Sequence, residues 1–193
     1  MHSPGVCGVI LAAGLQPVDA NEPRQKSKAE AVDALISALN ADTEMVLVAA
    51  GADAATLEAV VWARAAYMVP IAENASEADA LRVILQDVLS RGRDAALVAS
   101  LDNFALTSET VHRMVVAYCA AGDEIWAVVP ETAMLQGHPV LMGREMIELF
   151  LRGQKWSAAD EILAANREHV CAVKAVDPLA EVAPAVGWKA PWD

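Results

Sequence analysis

Short apolar runs alternate with helix-periodic segments along most of the chain, and this alternation restricts the possible folds more than any other feature. Residues Val6 to Ala13 form an apolar run typical of a buried strand. The next segment, Ser27 to Asn40, places its apolar residues on one helical face. Strand runs separated by helices predict βαβ units and a mostly parallel sheet covered on both faces. We therefore expect a three-layer, Rossmann-like α/β fold. Further strand runs are expected at residues 45–50, 67–71, 95–101, 125–130 and 170–176, and further helices at 54–63, 77–89, 108–121, 144–151 and 157–166.

The length of 193 residues suits one ordinary domain, and the alternation continues nearly to its end. We expect a single domain over residues 1–180 and an extended tail over residues 181–193. The tail contains Trp188 and Trp192 between prolines, so these two tryptophans are candidate anchors for a protein partner.

The charge balance excludes some classes of partner. There are 26 acidic residues against 14 Lys and Arg, which gives a net charge of -12. Such a chain is not expected to bind a nucleic-acid backbone or an anionic membrane, although a small phosphate ligand needs only a few local donors. No apolar stretch approaches the ~18 residues of a membrane span, and no signal peptide is evident. Cys7, Cys119 and Cys171 are far apart with no CxxC pair, which indicates a reducing cytoplasm and thiols that serve as small core residues.

Parallel sheets bind ligands beyond the carboxyl ends of their strands, so the loops there are the first place to search. The first such loop reads Leu11-Ala12-Ala13-Gly14. Its small residues would let a ligand approach the backbone closely, but the same residues also suit an ordinary tight turn. Neither the GxGxxG fingerprint nor a P-loop is present.

A carboxylate comes after the fourth strand run, at Asp102. An aspartate at this place is well positioned for a divalent cation, because magnesium takes one or two carboxylates together with substrate phosphates. The alternative is a turn or capping aspartate beside Asn103.

A third candidate is Gly137-His138-Pro139. The glycine permits a sharp bend and the proline restricts the backbone after the histidine, so His138 would point in a defined direction near the sheet edge. A surface turn histidine is the alternative.

Taken in order, these three segments resemble those of the MobA-like NTP transferases, the molybdenum-cofactor nucleotidyltransferases that include molybdopterin cytidylyltransferases. The likeness rests on LAAG after the first strand, on residues 101–110 around Asp102, and on Gly-His-Pro-Val-Leu at 137–141. It extends over residues 6–163.

The resemblance implies the fold of the nucleotide-diphospho-sugar transferases and a reaction. A nucleoside monophosphate passes from CTP or GTP to a molybdopterin-like or other phosphorylated acceptor, and pyrophosphate is released. Asp102 would be the catalytic residue and the ligand of a magnesium ion. The first loop, with Lys26 and Arg82, would bind the nucleotide, and residues Gly137, His138 and Pro139 would lie near the acceptor. The implied nucleotide-binding residues are Leu11, Ala12, Ala13, Gly14, Lys26 and Arg82.

The chain departs from the family pattern where phosphates and metal would bind. The serine and Arg-Met-Gly that the family has after LAAG are absent, and Asp19 and Glu22 stand in this region. The late Gly-Asp-x-Gly of the family is replaced by residues 153–156, Gly-Gln-Lys-Trp. Because a triphosphate needs fixed cations or backbone donors, two functions remain open. The chain is either a divergent, active nucleotidyltransferase or a catalytically degenerate relative that acts as a binding or regulatory module. A more distant alternative is a Rossmann-like domain for another nucleotide.

Overall fold

A computed structural model describes residues 5–12, 27–101, 105–131, 139–153 and 159–176. The predicted alternation of strands and helices is confirmed within these ranges. The strands are β1 (Val6–Leu11), β2 (Met45–Ala50), β3 (Tyr67–Pro70), β4 (Ala95–Ser100), β5 (Ala127–Pro130), β6 (Val140–Gly143) and β7 (Val170–Val173). The helices are α1 (Lys28–Leu39), α2 (Ala54–Ala63), α3 (Glu77–Ser90), α4 (Ser108–Ala121), α5 (Arg144–Arg152) and α6 (Ala159–Ala165).

The strands form one seven-stranded sheet in the order β3-β2-β1-β4-β6-β5-β7. Strand β6 is antiparallel to its neighbours β4 and β5, and the other pairs are parallel. The mostly parallel sheet is therefore as expected, but β6 was not anticipated. It has only four residues and leads directly into α5. Such a short apolar run shows no alternation by which a strand could be recognised.

Two hydrophobic layers cover the sheet, one on each face. Alternate residues of a strand point to opposite faces, so Ile10 packs with α1, α2 and α4 while its neighbour Val9 packs with α3 and α5. Met114 belongs to the first layer, whereas Met142 and Met146 belong to the second, and all three are buried. The three-layer architecture follows directly from the strand alternation.

Three of the described helices carry a side-chain cap at their N-terminal ends, which lie at the same edge of the sheet. Ser27 caps α1 and Ser76 caps α3, each in a reciprocal capping box, and Thr107 caps α4 through the backbone N–H of Thr110. At the other end, α3 and α4 are followed by Gly92 and Gly122, whose φ angles of 72° and 71° favour glycine. Both glycines stand where the sequence predicts that these helices end.

The cysteines differ in burial. Cys7 lies in the core of β1, as expected, but Cys119 is exposed on α4 and Cys171 is only partly buried. The expectation of core thiols is therefore wrong for Cys119, because the helical face on which it lies is turned away from the sheet. No helix in the described ranges is long and apolar enough to span a membrane. The expected tail, residues 181–193, lies outside the described residues.

Candidate functional site

The first and second predicted segments leave the sheet side by side. Leu11, at the end of β1, is paired in register with Ser100, at the end of the parallel strand β4. Beyond Leu11 the backbone N–H of Ala12 donates to the carbonyl oxygen of Ala49 at 2.9 Å, so the main chain stays within the sheet up to Ala12. Leu11 and Ala12 are both buried, main chain and side chain together. Ala13, Gly14 and Lys26 lie outside the described residues.

The segment that contains Asp102 joins β4 to α4. Leu101 is buried immediately before it, and the chain is described again from Ala105, three residues before α4 begins. Asp102 itself is outside the described residues. Its two flanks nevertheless fix the strand from which its segment departs and the helix that it enters.

The third segment reaches the same edge because β6 runs in the opposite direction. Val140, the first residue of β6, is paired with Val98, near the end of β4. Pro139 is buried next to it, whereas Gly137 and His138 are outside the described residues. The antiparallel strand therefore brings the chain that follows His138 to the carboxyl ends of β1 and β4. Three segments that are far apart in sequence open at one edge of three adjacent strands.

The helix dipoles add positive potential at this edge. Helices α1, α2, α3 and α4 follow the carboxyl ends of parallel strands, so their N-terminal ends face this side of the sheet. Free backbone N–H groups and the partial positive charge at a helix N-terminus favour anionic ligands. At α2 the N-cap residue Asp53 makes no side-chain cap hydrogen bond.

Asp53 is instead engaged by a cation from the neighbouring helix. The ammonium group of Lys28, the first residue of α1, forms an ion pair with the Asp53 carboxylate. Sequence reasoning did not identify Asp53, since nothing in the sequence pairs residues 25 positions apart on different helices. Its place three residues after the end of β2, in the turn that begins with Gly51, is the signal that could have drawn attention to it.

Arg82 lies on α3 and contacts backbone carbonyl groups at the end of α5. Its guanidinium donates to the carbonyl oxygen of Leu151 at 2.8 Å and to that of Gly153 at 3.0 Å. Arg82 thus binds the C-terminal end of α5, where carbonyl groups lack partners within the helix. The role in nucleotide binding remains a prediction.

The residues in the described ranges contain no group of three or more His, Cys, Asp and Glu that could hold a metal ion. Asp102, the predicted magnesium ligand, lies outside these ranges. Magnesium is commonly bound by one or two carboxylates together with the phosphates of the substrate.

No protein-family model matches the chain, and no curated protein matches it in sequence. Solved structures do match it in fold. One is Rv0371c of Mycobacterium tuberculosis H37Rv in complex with manganese, with a TM-score of 0.68, 18% identity, and 90% of this chain and 89% of that chain covered. Another is a nucleotidyl transferase from Methanothermobacter, with a TM-score of 0.65, 16% identity, and coverage of 91% and 89%.

A third similar structure is the 4-diphosphocytidyl-2C-methyl-D-erythritol synthase of Anaerococcus prevotii. Its TM-score is 0.67 at 11% identity, with 96% of this chain and 92% of that chain covered. At such identities a likeness establishes fold, and the MobA-like family inferred from the sequence motifs is a finer assignment than these matches reach. The chain therefore has the α/β fold that the Methanothermobacter nucleotidyl transferase and the Anaerococcus synthase also have.

Proposed function

We propose that the chain is a divergent nucleotidyltransferase. It transfers a nucleoside monophosphate from CTP or GTP to a molybdopterin-like or other phosphorylated acceptor, with Mg²⁺, and releases pyrophosphate. The observation that carries this proposal is that the described flanks of three motif-bearing segments lie at one sheet edge. The pairings of Leu11 with Ser100 and of Val98 with Val140 put the openings of these segments on adjacent strands.

The arrangement suits transfer between two phosphorylated substrates. An oxygen of the acceptor's phosphate attacks the α-phosphorus of the triphosphate, a new P–O bond forms, and the bond to the β-phosphate oxygen breaks as pyrophosphate leaves. Most of the catalysis in such a reaction comes from positioning and from stabilisation of charge. The N-terminal ends of α1 and α4, which follow β1 and β4, would offer backbone N–H donors to the nucleotide phosphates.

The two substrates would occupy neighbouring parts of the edge. The first loop, residues 11–14, follows β1, and Gly137-His138-Pro139 precedes β6. Because β4 lies between these strands, Asp102 would stand between nucleotide and acceptor. Asp102 would hold the magnesium ion, which neutralises charge on the phosphates when bound. The manganese in the Rv0371c structure shows that a protein with a similar fold takes a divalent cation.

The test compares Asp102 with Asp94, which stands at the opposite end of the same strand. Asp94 immediately precedes β4 and is half-exposed in an ion pair with Arg144. We expect Asp102→Ala to abolish magnesium-dependent pyrophosphate release from CTP or GTP with little change in melting temperature, because a loop residue contributes little to the core. Asp94→Asn should retain the activity. A wild-type protein whose melting temperature does not respond to any nucleotide, or an Asp102→Ala variant that keeps turnover, would refute the proposal.

A second candidate function is a binding or regulatory module without turnover. One observation favours it: two of the cations available for phosphates are engaged by the protein itself, Lys28 by Asp53 and Arg82 by carbonyl groups at the end of α5. For this function CTP, GTP and ATP with magnesium should leave the melting temperature unchanged even at millimolar concentration. The partner would then be a protein, and the tail tryptophans Trp188 and Trp192 would be its first contact points.

A further inference from the structure

The ion pair between Lys28 and Asp53 lies at the carboxyl-end edge of the sheet, where the candidate site is proposed. Lys28 is the first residue of α1, so it ends the connection that begins after Ala12. Asp53 follows β2, the strand next to β1, and the two strands remain hydrogen-bonded through Ala12 and Ala49. The pair therefore joins the N-terminal ends of α1 and α2.

A second ion pair joins the same helices and provides a comparison. Asp33 on α1 receives two hydrogen bonds from Arg64 after α2, at 2.7 and 2.8 Å. Both side chains of this ion pair are exposed, Asp33 to 40% and Arg64 to 45%. The Lys28 side chain is only 24% exposed, so its charge is less screened by water than that of Arg64.

The Asp53 side chain does not cap α2, although it occupies the N-cap position of that helix. Its side chain makes no cap hydrogen bond at the start of α2, and its contact is with Lys28 alone among the interactions of the described residues. An ammonium group held in this way already has an anionic partner. The carboxylate occupies one of the three N–H donors of Lys28 and partly neutralises its charge, so it competes with an incoming phosphate for that nitrogen.

We propose that Asp53 lowers the phosphate affinity of this site by competing for Lys28, and that bound nucleotide takes Lys28 from it. This inference rests on the proposed function, and it adds a residue that sets how tightly the substrate binds. Phosphate would receive charge-assisted hydrogen bonds from Lys28, and Asp53 would turn to water through its exposed half. The competition makes affinity depend on one carboxylate outside the predicted catalytic segments.

The experiment measures the dissociation constants of inorganic tripolyphosphate and of CTP and GTP with magnesium by calorimetry at low ionic strength. We expect Asp53→Asn to bind each probe roughly threefold more tightly, which corresponds to the loss of a partly exposed ion pair. Lys28→Gln should bind more weakly than wild type. In Lys28→Gln with Asp53→Asn the gain should disappear, because no ammonium group is left to release.

Asp33→Asn is the matched control, since it removes one negative charge and breaks an ion pair between the same helices. Its affinity should equal that of wild type. An equal gain in Asp33→Asn would mean that net charge alone is responsible, and it would overturn the inference. Unchanged affinity in Asp53→Asn, with clear binding by wild type, would overturn the inference and leave the proposed function in place. Absence of binding by wild type and Asp53→Asn alike would overturn both.

Discussion

The aromatic ring of Tyr118 lies against the backbone of Gly143 and occupies the space that a β-carbon would need. Its Cε2 and Cζ atoms are 3.1 Å from the position of such a carbon, and its hydroxyl oxygen is closer still. Gly143 ends β6 and precedes α5, while Tyr118 lies on α4. The φ angle of Gly143 is -77°, so close approach and not backbone conformation requires glycine here.

We predict that Gly143→Ala destabilises the protein by about 1–3 kcal/mol, the usual cost of forcing an added carbon into a packed site. Urea unfolding measures the change. Because the hydroxyl oxygen is the nearest atom, Tyr118→Phe should reduce the penalty of Gly143→Ala. An alanine variant as stable as wild type, or a penalty that is the same in the Tyr118→Phe background, would contradict the contact.

Burial of Cys7 should make stability depend on alkaline pH. Desolvation within β1 raises the pKa of this thiol from 9.0 to about 12. Between these values the unfolded thiol loses its proton while the folded one keeps it, so stability declines as pH rises from 9 towards 12. Between about pH 8 and about pH 10, wild type should lose about 1.4 kcal/mol more than Cys7→Ala.

A thiol reagent gives an independent measurement of the same burial. Cys119 is exposed, so it should react in the native protein, whereas Cys7 should react only after unfolding. Rapid modification of Cys7 without denaturant would show that the core of β1 is accessible.

Ala65 is a place where the chain can be stabilised. It follows α2 with a φ of 53°, a left-handed conformation that is strained for any residue with a β-carbon. We predict that Ala65→Gly raises the free energy of unfolding by about 0.5–1 kcal/mol. Ala59→Gly, at an exposed position within α2, should instead lower it by about 1 kcal/mol. Equal losses in both variants would mean that residue 65 is not strained.

Arg82 should act mainly as an anchor of α5. Arg82→Met keeps the apolar stem and removes the donors to Leu151 and Gly153, so we predict a loss of about 1–3 kcal/mol in thermal or urea unfolding. Arg152→Met should cost less than about 0.5 kcal/mol, because the Arg152 ion pair with Glu148 is exposed. Weaker nucleotide binding by Arg82→Met at unchanged stability would instead support its predicted place in the nucleotide site.

The periodicity of the chain was sufficient to predict the layers and most of the elements. Strand runs such as Met45–Ala50 are almost wholly buried, and a wholly buried strand needs a covered, largely parallel sheet. Strand β6 escaped this reasoning because four residues between Pro139 and a helix show neither a strand nor a helix period. Its antiparallel direction brings residue 139 to the carboxyl-end edge of β1 and β4. That direction depends on pairing with β4 and β5, which are distant in sequence or reached through a connection that shows no periodic pattern.

The sequence predicts those parts of the candidate site that directly follow a strand, but not the contacts between helices. The segments after Leu11 and after Leu101 were found because each follows a buried run. The partners of Lys28 and Arg82 are separated from them by 25 and 69 residues or more, and such contacts are set by how helices pack. Asp53 and the carbonyl groups of α5 were therefore beyond the reach of sequence motifs.

The inverted strand has an evolutionary consequence. Because β5 and β6 are adjacent and antiparallel, the chain leaves the sheet after Pro130 and re-enters at Val140 on the same side. Lengthening or shortening such an excursion changes loop-closure entropy little, about 0.6 kcal/mol for each doubling of length. If this part of the chain contacts the acceptor, as proposed above, its length can change between lineages while the scaffold stays as it is, and acceptor choice and foldability would evolve separately.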